Sequence, residues 1–401
     1  MNTPVLLDIS RSILRRLRDR PPSGIDRVCD AYVQHFAGTA LAVVQVRGRA
    51  FILDQHNSDE LMAAIATDER LPRPFWLRKL AQAIAAPAPG QDTREAFYIN
   101  VSHSDYDLDA HWRWAGRHQL RQIYLVHDLI PVTHPQVTTR LRSKRHLTRV
   151  TRALTGGAGI IANSQSTASE LNEFAVQRRL AMPPLLTAPL AGANLPISAS
   201  RTRSAPPTFL TVGTIETRKN HHLLFKVWSR LIERFGENTP RLVMAGTPGL
   251  RAKPILEGMR ADPRLAQYVS FHARPDDIEL VQLMSHADGV LLPSFAEGFG
   301  LTLVEALASG IPVIASDLAS FRELGQGIPD LLDVSNVDAW VDVVSDFAQA
   351  GLRYQRQMAA IRTYQPTRWD RHFDLIENWL EGLAMEADMQ TETYAARAVV
   401  A

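Results

Sequence analysis

Along most of this chain, short apolar runs alternate with stretches whose apolar positions recur every three or four residues. PVLLDIS, ALAVVQV, AFYINVS, QIYLVHD and GIIANS are the apolar runs of the first half, and TFLTVGT, RLVMAG, YVSFHA, GVLLPS and PVIASD those of the second. Runs of this length, bounded by turn-forming residues, predict buried strands; ASELNEFAVQRRL and HHLLFKVWSRLIERF predict amphipathic helices. Strands alternating with helices predict α/β architecture with parallel sheets covered on both faces. The pattern occurs twice, so two doubly wound domains are expected, residues 1–191 and 208–365. GANLPISASRTRSAPP, residues 192–207, has no apolar periodicity and reads as the linker between them. Residues 366–385 form a last helical stretch, and the polar, Ala-rich residues 386–401 read as a frayed or disordered tail.

The length of 401 residues exceeds one ordinary core, and 45% hydrophobic with 21% charged residues is a soluble, globular composition. The single Cys29 excludes a disulfide framework and a cysteine-rich metal site, and fits a reducing compartment. No apolar run reaches the roughly 18 residues of a spanning helix. The start, MNTPVLLDISRS, lacks a basic region ahead of a long apolar run, so no signal peptide is expected and the cytoplasm is the expected compartment. The net charge of +2 conceals an asymmetry. Residues 1–200 hold 24 Lys and Arg against 17 Asp and Glu, and the remainder holds 20 against 25. A basic first half implies an anionic partner.

In doubly wound domains ligands sit at the carboxyl ends of strands, so chemistry is sought where strands lead into helices. LLPSFAEGFG leaves a strand and LTLVEALAS opens a helix. Gly298 and Gly300 allow backbone to approach a ligand, and free N–H groups at the helix start favour a phosphate. Glu297 stands ahead of this turn and Glu305 one turn into the helix, where a carboxylate suits ribose or sugar hydroxyls better than phosphate. In TVGTIETRKNHHLL a strand ends near Gly213, and Arg218 and Lys219 precede a helix expected to start near Asn220. Two cations at a helix N-terminus oppose its dipole unless an anion lies between them, which a diphosphate would be. In PPSGIDRVCDAYVQHF, Ser23 or Asp26 caps a helix, and Gly24 either lets backbone approach a phosphate or belongs to a plain helix start. His127 and Asp128 end the strand of IYLVHDLIP; His127 either orients a sugar or a reacting hydroxyl or is a buried structural histidine. His103 ends the preceding strand and is a weaker candidate. Arg274, after VSFHA, either flanks a nucleobase or lies in a surface loop.

Two segments carry the basic charge of the first half. LRSKRHLTRVTRAL interleaves cations with apolar residues, and LPRPFWLRKLAQAIAA joins Phe75 and Trp76 to Arg73, Arg78 and Lys79. Both fit either a membrane-surface contact or a helix packed on its own domain. No nucleic-acid motif accompanies the charge.

SFAEGFGLTLVEALASGIPVIAS resembles the two-glutamate signature of the retaining glycosyltransferases of family 4. VGTIETRKN resembles their diphosphate-binding segment, and SGIDRV, VHDLIP, IIANSQSTASEL and TRWDRHFDLIENWL match their other landmarks in order, over roughly residues 20 to 385. The resemblance implies the GT-B fold, two Rossmann-like domains facing a cleft, with the first domain on the acceptor and membrane side. It implies a nucleotide-diphospho sugar as donor, retention of configuration, no cofactor and no requirement for a bound metal. It places Glu297 on the donor sugar's hydroxyls, Gly298, Phe299 and Gly300 along the sugar, Leu301 and Thr302 in the donor site, and Glu305 on the ribose. Arg218 and Lys219 neutralise the diphosphate beside Gly213, Gly24 approaches it from the first domain, and His127 lies near sugar and acceptor. The family's usual Arg after the strand's glycine is Thr214 here, a departure that shifts weight onto Arg218. GTIETRKN with SGIDRV looks most like the bacterial mannosyltransferases that build exopolysaccharide or lipopolysaccharide O-antigen from GDP-mannose. That likeness implies a lipid-linked saccharide acceptor and a peripheral position on an anionic membrane surface, at the inner face of the cytoplasmic membrane. A donor of the UDP-sugar type, or a nucleotide-sugar epimerase or hydrolase on the same fold, is the alternative.

Overall fold

The computed structural model describes residues 3–46, 48–67, 71–86, 90, 92–193, 195 and 203–400. The first sheet contains β1 (Val5–Asp8), β2 (Leu41–Val46), β3 (Arg49–Ile52), β4 (Phe97–Asn100), β5 (Arg121–Val126), β6 (Gly159–Ala162) and β7 (Leu185–Thr187). Their order is β3-β2-β1-β4-β5-β6-β7. The second contains β8 (Thr208–Val212), β9 (Arg241–Gly246), β10 (Val269–Ala273), β11 (Gly289–Leu292), β12 (Val313–Ser316) and β13 (Asp330–Leu332), in the order β10-β9-β8-β11-β12-β13. Each of the ten apolar runs forms a strand. Residues 194 and 196–202 of the expected linker lie outside the described residues.

The expectation of parallel sheets needs one correction. β3 runs antiparallel to β2, because only two residues separate them in sequence and so short a connection must reverse the chain. β3, β7 and β13 were not foreseen: each is three or four residues long and only partly buried. Full burial of β1, β4, β6, β11 and β12 explains why the other runs are continuously apolar. On the second sheet, the helices His221–Phe235 and Val337–Ala348 press fully buried Trp228 and Trp340 into the core.

The last helix, Trp369–Val400, lies against the first domain. Phe373 stacks on His35 with ring centroids 3.8 Å apart, and His372 sits between the Tyr32 hydroxyl and the Pro189 carbonyl, 3.1 Å from each. The tail expected to fray from residue 386 instead continues this helix to Val400. Beyond Gly382 the stretch has neither Gly nor Pro and is rich in Ala, the strongest helix former.

Strand order reverses between β1 and β4 in the first sheet and between β8 and β11 in the second. These are the points where a doubly wound sheet opens a crevice at its carboxyl edge.

Candidate active site

The second switch point carries the charged groups. β8 and β11 pair directly, so the segment after β8 and the segment after β11 lie side by side, and the Phe295 N–H donates to the Arg218 carbonyl at 2.9 Å. This brings Arg218 Nη1 to 2.6 Å from Glu297 Oε2, and Lys219 Nζ to 2.6 Å from Glu297 Oε1. Ser294 Oγ donates to the same Oε1 at 2.8 Å. Arg218 also donates to the Ala296 carbonyl at 2.8 Å and pairs with Glu216 at 3.0 Å. Burial alone would push the Glu297 carboxyl up. The charges of Arg218 and Lys219 and the hydrogen bonds from Lys219 and Ser294 outweigh it and hold the group at about 2.

The anion that the cations before helix His221–Phe235 demand is therefore present in the chain itself. Sequence reasoning assigned Glu297 to the sugar and Arg218 with Lys219 to the diphosphate, as separate contacts; the structure joins all three. Arg218 is spent largely on Glu297, Ala296 and Glu216. Lys219 keeps two N–H groups, and its Cε would lie 3.3 Å from a Cβ at Gly213. Glu297 Oε2 keeps one lone pair.

Glu305 is also buried, with a different environment. It stands in the second turn of helix Leu301–Ala308 and accepts one hydrogen bond, from the Ala193 N–H at 3.1 Å. Burial raises its carboxyl above the ordinary range, and that hydrogen bond and the Arg27 charge do not offset it.

The two domains meet around Gly298. Its carbonyl accepts from Ser164 Oγ at 2.8 Å and Thr167 Oγ1 at 3.1 Å, both in the first domain. Glu323 of the second domain accepts from the Gln165 and Ser166 N–H groups at 2.8 and 3.0 Å, capping the helix Gln165–Arg178. Arg27 pairs with Asp277 across the cleft. A Cβ at Gly24 would meet Leu301 Cδ1 at 3.0 Å, so this glycine lets the two helix starts approach. Ser23 and Asp26 form a capping box on the helix Gly24–Phe36. None of these cross-domain partners was visible in the sequence, because a pairing between domains leaves no local pattern.

A cavity of about 670 Å³ lies between the domains. Gly24, Gly213, Arg274, Leu301, Thr302 and Glu305 line it. Glu297, Arg218, Lys219 and His127 do not; Lys219 adjoins it through Gly213, and Glu297 and Arg218 follow through their pairing with each other and with Lys219. Phe299 is buried in the core. Gly300, with φ of 112°, turns the chain into the helix in a conformation that favours glycine.

His127 is buried. Its Nε2–H donates to the Val101 carbonyl at 2.7 Å, and its backbone N–H donates to His103 Nε2 at 3.3 Å. His146 donates to the Asp128 carbonyl at 2.9 Å, and its ring lies 5.3 Å from that of His103. Burial pushes His127 down to about 4 and His103 well below its ordinary value. His127 is thus neutral, with Nδ1 as an acceptor.

Of the two basic segments, the helix Arg73–Ala85 turns its Trp76 inward, 1% exposed and within 5.6 Å of the Arg16 guanidinium, while Lys79 pairs with Glu60. The helix Arg140–Gly156 leaves Leu141 67% exposed between exposed Arg140 and Arg142. Among the described residues no helix is long and apolar enough to cross a membrane.

Residues 206–350, which contain this charged cluster, match the family model of the glycosyl transferases group 1. The matched stretch covers most of the second domain. Over 167 residues the chain is 31% identical to a D-inositol 3-phosphate glycosyltransferase of Corynebacterium urealyticum, covering 40% of this chain and 38% of that protein. Over 219 residues it is 26% identical to the serotype-specific mannosyltransferase WbdA of Escherichia coli, covering 51% of this chain and 27% of that one. The chain thus spans less than half the length of these curated relatives. The whole frame superposes on a sucrose-phosphate synthase of Thermosynechococcus elongatus with a TM-score of 0.62 at 17% identity, covering 96% of this chain and all of the other. Anabaena HepE, solved with UDP and glucose, gives 0.60 at 14% over the same shares. The two-sheet frame is the GT-B fold.

Proposed function

We propose that this protein is a retaining glycosyltransferase that takes a sugar from a nucleoside-diphosphate donor, with mannose from GDP-mannose as the favoured donor, and adds it to a lipid-linked saccharide. The observation that carries this reading is the Lys219–Glu297 pair at the β8/β11 switch point, beside Gly213 and a cavity of nucleotide size. In this reading the ribose lies against Glu305 and the base near Arg274. The diphosphate reaches Gly213 and the two remaining N–H groups of Lys219, and the sugar lies along Gly298–Gly300 with a hydroxyl on Glu297 Oε2. The bond from the anomeric carbon to the diphosphate oxygen breaks, the acceptor hydroxyl oxygen bonds to that carbon on the same face, and its proton passes to the departing diphosphate oxygen. Lys219 stabilises charge that develops on the leaving diphosphate, while Arg218 fixes Glu297. His127 Nδ1 accepts from a hydroxyl of sugar or acceptor.

Mannose is favoured by the likeness to the serotype-specific mannosyltransferase WbdA. A UDP-sugar is the second reading, favoured by the neighbouring fold solved with UDP and glucose. The exposed cations and Leu141 of helix Arg140–Gly156 support a position on an anionic membrane surface. Calorimetry with GDP-mannose, UDP-glucose, UDP-galactose and UDP-N-acetylglucosamine tests the reading. Tight binding of GDP-mannose alone supports it, and preference for a UDP-sugar replaces the donor. Binding of none of them, together with no transfer to a membrane extract, overturns it.

A further inference from the structure

One stretch, LRRLRDRPPSGID, residues 14–26, builds much of the cavity's first-domain wall. The helix Ser10–Leu17 ends in it, with Arg15 and Arg16 in the last turn, where cations suit the helix dipole. Arg18 caps that end, Asp19 turns in the left-handed region at φ 46°, and Pro21-Pro22 stiffens the run into the next helix. The geometry puts Arg18 and Arg20 on the cavity, opposite Gly213 and Arg274 of the second domain.

The charges around the cavity are unevenly matched. Arg11 pairs with Asp26 at 2.7 Å, Arg15 with Asp30 at 2.7 Å, and Arg27 with Asp277. Arg218 and Lys219 are balanced by Glu216 and Glu297. Among the described residues Arg18, Arg20 and Arg274 have no ion pair. The acidic groups left to oppose them are Asp19 and Glu305, and burial disfavours the charged form of Glu305. The cluster first assigned to the diphosphate therefore has its charge largely satisfied, and the excess positive charge lies mainly on the opposite wall.

We propose that Arg18 and Arg20 are donor-binding residues that supply, from the first domain, the positive charge met by the diphosphate of the nucleotide donor. The inference rests on the glycosyltransferase reading and adds to it: binding the diphosphate requires both domains, so donor charge favours the closed cleft. A diphosphate could also come from a lipid-linked acceptor, and the test separates the two sources.

GDP, UDP, guanosine, uridine and geranyl diphosphate are titrated into the unaltered protein, R18Q/R20Q and R18K/R20K. Titrations run at about 0.01 M and about 0.15 M salt, where the screening length falls from about 30 Å to about 8 Å. The expected result is that R18Q/R20Q binds GDP or UDP about tenfold more weakly at low salt, with a flatter salt dependence. Guanosine and uridine binding stay unchanged, and R18K/R20K recovers part of the loss. Equal affinity of R18Q/R20Q and the unaltered protein for GDP and UDP overturns the inference alone. So does an equal loss for the nucleosides, or a loss confined to geranyl diphosphate. If the unaltered protein binds neither GDP nor UDP, this inference falls, and if it also shows no transfer to a membrane extract the glycosyltransferase reading falls with it.

Discussion

Gly298 and His127 belong to different domains, and their backbones touch: a Cβ at 298 would lie 2.1 Å from the His127 carbonyl oxygen and 2.7 Å from Asp128 Cβ. Backbone cannot yield as a flexible side chain does. The sequence reading assigned Gly298 to close approach of a ligand, and in the structure the close neighbour is the other domain. Gly298→Ala is expected to leave each domain folded and to hold the cleft open. Small-angle scattering reads this as a larger radius of gyration, and transfer falls by about tenfold or more, since small misplacements at a reacting centre are costly. An unchanged radius with full activity would show that the contact does not control closure.

Glu297 links charge to stability. Its folded value of about 2 lies below the ordinary 4.5, so its contribution is fully present above about pH 4.5 and is lost as pH falls through 2. The size is roughly 3 kcal/mol. Glu297→Gln keeps the shape and leaves Arg218 and Lys219 without their anion, a loss of about 3–5 kcal/mol at neutral pH. Urea unfolding at pH 7 and pH 3 checks this. The gap between the unaltered protein and the variant should narrow at the lower pH, and a gap independent of pH would sink the assignment.

The legible part of this molecule is what leaves a local pattern. Buried strands such as Gly289–Leu292 and Gly159–Ala162 are continuous apolar runs, so their existence and parallel pairing follow from hydrophobicity. Arg49–Ile52 and Asp330–Leu332 are edge strands, short and partly wetted, and carry no such signal. In the site, Gly213, Arg274, Leu301, Thr302 and Glu305 reach one cavity because each follows a strand end, a position readable from sequence. The pairing of Glu297 with Arg218 and Lys219 depends on β8 lying next to β11, and strand order is not written in either segment. Trp76 shows the same limit: an aromatic among cations fits a membrane face or a core equally well, and only packing against Arg16 decides.

The helix Arg140–Gly156 offers Leu141 with Arg140, Arg142 and Lys144, while Arg145 and Arg149 are held by Asp107. These three, which have no ion pair among the described residues, are expected to bind anionic vesicles. Each cation near such a surface contributes about 1 kcal/mol, so R140Q/R142Q/K144Q should lower vesicle sedimentation by about a hundredfold at low salt. Binding by the unaltered protein should itself fall as salt rises. No sedimentation with anionic vesicles at low salt would remove the membrane from the reading.

Glu305 sets stability against function. Its folded value is raised, so folding favours the protonated form. That contribution is fully present below about pH 4.5 and is lost as pH rises through the folded value, above which a buried carboxylate is left with one hydrogen bond. Glu305→Gln should therefore raise the melting temperature at pH 7 and change it little at pH 4. The same variant loses a carboxylate for ribose hydroxyls, so GDP or UDP should bind about tenfold more weakly. The two readouts separate the roles. A lower melting temperature at pH 7 would mean that the bond to Ala193 holds the domains together and that Glu305 is kept for the fold. Higher stability with weaker nucleotide binding is the signature of a residue kept for its ligand.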